Sequence, residues 1–409
     1  MIARAAEGPQ ALRPPSPSRA GLFQVELLDG IDSLRSLQSE WRRLAEATAG
    51  DNPFLSWEWA FTWAEEMMGD RLVTAVVREG DDVVAIAPFY RNLYSLGPGL
   101  KARCLQLYGP RELQTVFELR QIPMLPGREA AILRSLLAGL LESARWDWVE
   151  LADYGPRTGC WREVLATLPA DLRLVVQDVV QVPILPLLST WEDQRSALRR
   201  NVKERIRRGY NSLKRDGLGF SVVIDADAAN SNARVAEFHQ LHERRAEVQD
   251  RKAHVNSFRH PRVRTFLSAA SRRLMEAGIL SYAGLEVSGS VVATRMVMQR
   301  NDSLYLYYSG FDPAWWSHSV MTVLVTEVVK MAIARHLEGI NFSPGLDQFK
   351  SGWTEPDANL TAVAYMIGRQ TRSSRFRLAA FRRRKRLSAM ALRRLRWIRG
   401  RIATKAAEG

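Results

Sequence analysis

Only two cysteines occur in 409 residues, Cys104 and Cys160, and they lie far apart. That spacing excludes a disulfide framework and gives no metal-ligand cluster, so a reducing compartment, the cytoplasm, is expected. No run approaches the ~20 apolar residues needed to span a bilayer, and no transmembrane segment is expected. Near the N-terminus, Pro9, Pro14, Pro15 and Pro17 fill the place where a secretory signal would have its apolar core. Histidine is scarce too. His239 and His242 share a helix with Glu243, but an i, i+3 pair with no further ligand is weak ground for zinc, and no metal is expected. Neither a carboxylate pair nor a Ser-His-Asp order stands out, which disfavours hydrolytic chemistry.

Acid is missing from one stretch. Residues 369–405 hold 15 Lys/Arg and no Asp or Glu, leaving 43 basic against 44 acidic residues elsewhere. The net charge of +14 therefore belongs to a tail and says nothing of nucleic-acid binding by the whole chain. Within the tail, Leu387, Ala391, Leu395, Ile398 and Ile402 recur at near-helical spacing among arginines. This basic amphipathic pattern suits an anionic membrane surface, with peripheral attachment at its inner face as the expectation. As a separate appendage, the tail is expected to be dispensable for folding.

What remains is an ordinary globular composition, 46% hydrophobic and 25% charged, with length for two or more cores. Residues 1–22 are rich in Pro, Ala and Ser and are expected to be disordered. Phe23 to Leu27 reads as a strand, and Ser33 to Ala47 as a helix with Leu34, Leu37, Trp41 and Leu44 on one face. A second helix capped by Ser56 carries Trp57, Trp59, Phe61 and Trp63. A hairpin follows over 72–90, then a strand over 101–108, a helix over 128–143 and a strand from Trp148 to Leu151. The second half repeats that order. After Pro183 and Pro186 come a basic helix from Trp191 to Arg215, a strand over 220–224, helices over 232–248 and 261–277, and a hairpin turning at Ser288-Gly289.

The stretch from Ser303 to Trp353 organises this half. An aromatic strand ends in the turn Gly310-Phe311-Asp312-Pro313, and a helix starting at Ser319 leads to a second strand, Ile340 to Phe342. Ser319 is expected to cap that helix through its hydroxyl. A helix start concentrates unpaired N–H groups and partial positive charge, which suits a phosphate or pyrophosphate. Ala362 to Ile367 is expected to close the second sheet. Tyr307 and Tyr308 should point to opposite faces of their strand, one into the core and one toward an acceptor.

The order β-αα-βββ-α-β resembles the GNAT (N-acetyltransferase) superfamily, and two such units in tandem look like the Fem peptidoglycan aminoacyl ligases. Closer still, the chain resembles the cellulose-biosynthesis acetyltransferase (CelD-like) family across roughly Phe23 to Ile367. The resemblance is carried by Pro53-Phe54-Leu55-Ser56-Trp57-Glu58-Trp59, Leu198-Arg199-Arg200-Asn201-Val202-Lys203 with Arg207, Tyr308-Ser309-Gly310-Phe311-Asp312-Pro313, and Phe349-Lys350-Ser351-Gly352-Trp353. It implies an α/β (α+β) fold of two tandem GNAT-like domains, each a mixed, mainly antiparallel sheet flanked by helices. The expected divisions are 23–187, 188–368 and a basic helical tail, 369–409. By the same resemblance, amides near Tyr308, Ser309 and Gly310 would polarise the carbonyl of acetyl-CoA or another acyl-CoA, and those of Ser319, Val320 and Met321 would hold its pyrophosphate. Yet the loop before that helix, Ala314 to Ser319, has no glycine.

Lys350 would orient the donor or stabilise an oxyanion. Asp347 would accept a proton or else cap a turn, and His318 is a second candidate base. Trp57, Trp59, Arg199, Arg207 and Trp353 would meet the acceptor, a sugar, polysaccharide or cell-envelope precursor, although helical aromatics also fill cores. The expected reaction is direct attack by a hydroxyl or amine on the thioester. Its rivals are a Fem-like transferase using aminoacyl-tRNA and a non-catalytic envelope-assembly adaptor.

Overall fold

The computed structural model describes residues 23–48, 50–109, 116–143, 145–155, 159–248, 256–385 and 387. Its strands are β1 (Gln24–Asp29), β2 (Leu72–Glu79), β3 (Asp82–Gly97), β4 (Leu100–Leu107), β5 (Trp148–Gly155), β6 (Leu172–Val182) and β7 (Ile184–Pro186) in the first half. The second half supplies β8 (Phe220–Asp225), β9 (Leu280–Val287), β10 (Ser290–Arg300), β11 (Ser303–Phe311), β12 (Gly339–Asn341) and β13 (Leu360–Arg369). Helices α1 (Gly30–Arg35), α2 (Gln38–Ala47), α3 (Trp57–Trp63), α4 (Glu129–Ser143) and α5 (Gly159–Ala166) belong to the first lobe. To the second belong α6 (Trp191–Ala197), α7 (Arg200–Arg215), α8 (Ser231–Glu247), α9 (Pro261–Glu276), α10 (Val320–Ala334) and α11 (Lys350–Trp353). A last helix, α12, covers 372–385.

The expected order runs through both halves, but the helix expected over 33–47 is split into α1 and α2, and α5, β6 and β7 follow β5 where no element was expected; each half builds a mixed, mainly antiparallel sheet. The single basic helix expected over 191–215 is broken in two, because Leu198 and Arg199 are extended between α6 and α7. Two strands cross the expected boundaries. Strand β13 does not close the second sheet; it lies between β5 and β6 in the first, antiparallel to both. Just past β6, β7 changes sheets and pairs antiparallel with β12. Alternation of apolar side chains signals a strand but not the sheet it joins, so the sequence could not reveal this exchange.

The lobes share one core. Phe54, Trp59 and Trp63 from the first half, backed by Phe117, pack against Phe266, Tyr305 and Tyr307 from the second, largely edge to face. A second core lies on the far face of the second sheet, where α7 and α10 cover Leu304, Leu306 and Ile340. A third, smaller one holds Leu378 and Phe381 of α12 against Ala102, Cys104, Trp148 and Met366. The first part of the basic tail is thus docked on the first sheet. Of its apolar series, Ala391, Leu395, Ile398 and Ile402 lie outside the described residues, as does the N-terminal stretch 1–22.

Two sequence motifs meet directly. A Cβ on Gly352 would stand 2.7 Å from Val202, so α11 can seat against α7 only without a side chain there. That contact joins the Leu198-to-Lys203 stretch to Phe349-Lys350-Ser351-Gly352-Trp353.

Candidate active site

Strands β11 and β12 run parallel for three residue pairs only, Ser303 with Gly339, Leu304 with Ile340 and Tyr305 with Asn341. Beyond Tyr305 they part, and β11 continues to Phe311 with no strand on that edge among the described residues. Just past the fork β11 bulges. Arg295 of β10 pairs with Ser309 and Val297 with Leu306, so Tyr307 and Tyr308 together oppose Met296. The bulge undoes the expected alternation of the tyrosines. Tyr307 packs on Phe54 and Trp59 while Tyr308 packs on Phe258 and His242, and the two rings touch each other on one side of the sheet.

A carboxyl from the other lobe arrives at this fork. Glu118, in the chain between β4 and α4, accepts a hydrogen bond from Tyr305 Oη. Burial pushes its carboxyl up to about 7, against the opposing pull of the Tyr305 hydrogen bond and the positive charges of Lys350 and Arg295. Arg295 is itself buried; Nη2 donates to Leu306 O at 3.3 Å and Tyr307 O at 3.2 Å, occupying carbonyls that the bulge turns away from the ladder. Burial lowers its guanidinium to about 10, with Glu118 foremost among the groups that resist. A proton acceptor near neutrality, a phenol and a buried cation therefore converge where the strand edge opens.

The sequence-nominated residues divide sharply. Lys350 reaches this cluster, but its ammonium donates to Ser343 O at 3.2 Å, Ser343 Oγ at 3.0 Å and Pro344 O at 2.9 Å, matching its three donors. Its head thereby clasps the loop after β12. Burial lowers its pKa, chiefly opposed by Glu118. Asp347 is exposed and accepts from the Phe349 and Lys350 amides, both at 2.8 Å, so it caps the turn that presents the lysine.

His318 turns away toward α7, with Nδ1 3.1 Å from Ser212 Oγ and Nε2 3.7 Å from Asp216. Ser319 does not cap α10 with its hydroxyl. Its backbone is left-handed, φ 51°, and its own amide donates to Trp316 O at 3.1 Å. Of the three amides nominated for a pyrophosphate, only those of Val320 and Met321 are not committed in this way. The end of α10 is also hemmed by α7, where a Cβ on Gly209 would stand 3.3 Å from His318 O and 3.7 Å from Ser319 Cβ.

Gly310 has a tighter role. A Cβ there would fall 2.4 Å from His242 N, so the glycine admits α8 against the end of β11. The Ser309 carbonyl beside it accepts from His242 Nδ1 at 2.9 Å, which fixes that tautomer. His239 is pushed down to about 4, mainly by burial. Among the described residues no group of three His, Cys, Asp or Glu is arranged to hold a metal.

The acceptor-contacting aromatics are a correction. Trp57 and Trp59 are buried between α2, α3 and the second lobe, and Trp353 is buried against Phe342 and Phe349. None offers a face for a sugar to stack on, because the shared core takes the first two rings and the second core takes Trp353. Arg199, just before α7, and Arg207, on it, are exposed and pair with Glu355 and Glu204. Sequence reasoning missed Glu118, Arg295 and Tyr305. Glu118 sits in an irregular segment with no period to mark it, and Arg295 looks like any charge on a hairpin until the bulge is seen.

Comparison with known proteins decides the family of the second lobe: residues 200–351 match the family described as acetyltransferase (GNAT) domain. The chain carries a GNAT domain. The protein is accordingly an acyltransferase, and the fork between β11 and β12 lies inside its GNAT domain. A conserved protein of unknown function from Bacteroides thetaiotaomicron VPI-5482 shares the fold, with TM-score 0.51 and 13% identity over 85% of this chain and 100% of that one. A tandem GNAT protein from the clavulanic acid biosynthesis pathway aligns over 84% of this chain and 98% of its own, at 11% identity and TM-score 0.43. FemX aligns over 82% and 96%, at 11% identity and TM-score 0.49. No curated protein matches.

Proposed function

We propose that the protein transfers an acyl group, acetyl being the simplest, from a coenzyme A thioester to a hydroxyl or amine of a sugar or cell-envelope precursor. The observation that carries the reading is the coincidence at one point of an open strand edge, a bulge and a carboxyl near neutral pKa. A thioester carbonyl laid along β11 beyond Tyr305 would meet backbone N–H donors held rigidly by the sheet, which stabilise the forming oxyanion at little reorganisation cost. Glu118, ionised, takes the proton from the attacking hydroxyl or amine. The acyl–oxygen or acyl–nitrogen bond forms as the carbon–sulfur bond breaks, and the proton leaves with the sulfur as the thiol. Tyr305 and Arg295 hold Glu118 and the bulge in place. The pyrophosphate half of the donor finds a poorer cradle, two amides at the start of α10, which argues for a weaker donor grip than a glycine-rich loop would give.

Calorimetry with coenzyme A and acetyl-coenzyme A, paired with thiol release in the presence of amino sugars, tests the assignment. Heat from both ligands is expected, with thiol release that Glu118→Gln suppresses while leaving donor binding intact. Folded wild-type protein that gives no heat with either ligand would refute it.

A further inference from the structure

Helix α12 and the adjoining end of β6 enclose a cleft of about 580 Å³ on the outer side of the first sheet. Arg173 reaches it from β6, and Arg372, Arg375 and Arg382 from α12. No acidic residue lines it, and none of the four arginines has an ion-pair partner among the described residues. The helix cannot swing away to relieve this concentration of charge. Its inner face is pinned by Ser374 Oγ donating to Asp147 at 2.8 Å, by Arg377 on the same carboxylate at 3.1 Å, and by Leu378 and Phe381 in the third core. Four like charges held around one cleft favour an anion bearing several oxygens, because guanidinium groups bind phosphate in a forked geometry.

The outer face adds a second, independent feature. Phe376 at the cleft is 63% exposed, and Leu387 is 55% exposed. They stand eleven residues apart, close to three full turns at helical spacing. A free phosphate would use the arginines alone. A bilayer surface would use both, phosphates against the arginines and the two apolar side chains among the acyl chains.

We propose that the cleft between β6 and α12 docks the protein on an anionic lipid surface, with Arg173, Arg372, Arg375 and Arg382 gripping headgroup phosphates and Phe376 and Leu387 entering the interface. The site is formed by the folded body, so docking does not require residues beyond 387. It also holds whatever the GNAT domain acylates.

The test is co-sedimentation of the full chain with vesicles of phosphatidylglycerol and phosphatidylcholine, against vesicles of phosphatidylcholine alone. Binding only to the anionic vesicles is expected, with each single Arg→Gln change lowering partition about fivefold. The quadruple change should lower it more than a hundredfold, and Phe376→Ser should lower it at both low and high salt. Arg372→Lys with Arg375→Lys keeps the charge but not the fork and should lose clearly less binding than Arg372→Gln with Arg375→Gln, which guards against a folding defect in the neutral variants. A chain ending at 387 should still bind. Wild-type binding by the quadruple variant overturns the proposal, as does loss of all binding on removal of 388–409. So does competition in which inorganic phosphate or an RNA oligonucleotide occupies the cleft while vesicles do not bind.

Discussion

Two parallel strand forks, one per lobe, invite comparison. In the first lobe Cys104, Leu105 and Gln106 of β4 pair with Trp148, Val149 and Glu150 of β5; in the second, Ser303 to Tyr305 pair with Gly339 to Asn341. Each lasts three pairs. At the third pair the two diverge. Gln106 Nε2 donates to Glu150 at 3.1 Å and Asn92 donates to Gln106 at 2.8 Å, so the first fork ties its own ends together. Tyr305 and Asn341 instead reach away, Tyr305 to Glu118 and Asn341 to the Tyr154 hydroxyl at 2.9 Å, both in the other lobe. Buried polar groups that satisfy one another make scaffold; those handed to a neighbouring lobe leave an edge free for chemistry. The first lobe also contributes the Glu118 segment, so both copies build one site.

The sharpest way to break this comparison is to neutralise both acids. Glu118→Gln should lower kcat/KM for thiol release by about 10²–10³, within the range for general-base catalysis, whereas Glu150→Gln should leave the rate unchanged in the folded enzyme. Equal losses would make the forks equivalent and the assignment wrong. On stability, Gly310→Ala forces backbone against backbone at α8 and should cost about 2–4 kcal/mol in urea unfolding. Trp59→Ala should cost about 3–5 kcal/mol in the same measurement while leaving the acceptor KM of any folded enzyme unchanged, as a core residue should and a sugar platform would not.

The pH dependence sharpens it further. The Glu118 carboxyl is raised in the folded state, so the base form fills, and log kcat/KM should climb, as pH passes about 7. A raised carboxyl contributes stability below its unfolded value that is lost as pH rises through the folded one; Glu118→Gln should therefore be relatively more stable at pH 8 than at pH 5. Lys350→Ala removes a cation that holds Glu118 down, so the ascending limb should move to higher pH. Loss of the clasp on Ser343 and Pro344 should raise KM as well. The smallest effect is expected at Ser319→Gly, a stabilisation of up to about 1 kcal/mol from relief of its left-handed backbone.

Much of the fold was legible because helical and strand periods survive in the sequence: the repeated order of elements, the hairpin at Ser288-Gly289 and the strand-helix-strand unit from Ser303 are all where the pattern puts them. The active-site geometry was less so. A cap rule put the Ser319 hydroxyl on α10, but the rule presumes an extended cap residue, and this one is left-handed. Period-two alternation sent Tyr307 and Tyr308 to opposite faces, and one inserted residue cancels it. Trp57 and Trp59 read as a platform or, more often for helical aromatics, as core, and which one holds depends on a partner lobe more than two hundred residues further on. Long-range placement, not local chemistry, is what the sequence withheld.

Strand β13 carries a consequence for how the chain assembles. Among the described residues β6 has no neighbour in its sheet other than β13, and one side of β5 waits for the same strand. During synthesis the first sheet therefore stays open along that seam until residues 360–369 leave the ribosome, after every element of the GNAT domain has emerged. The two lobes must mature together, and the late-arriving strand is the stitch that commits them.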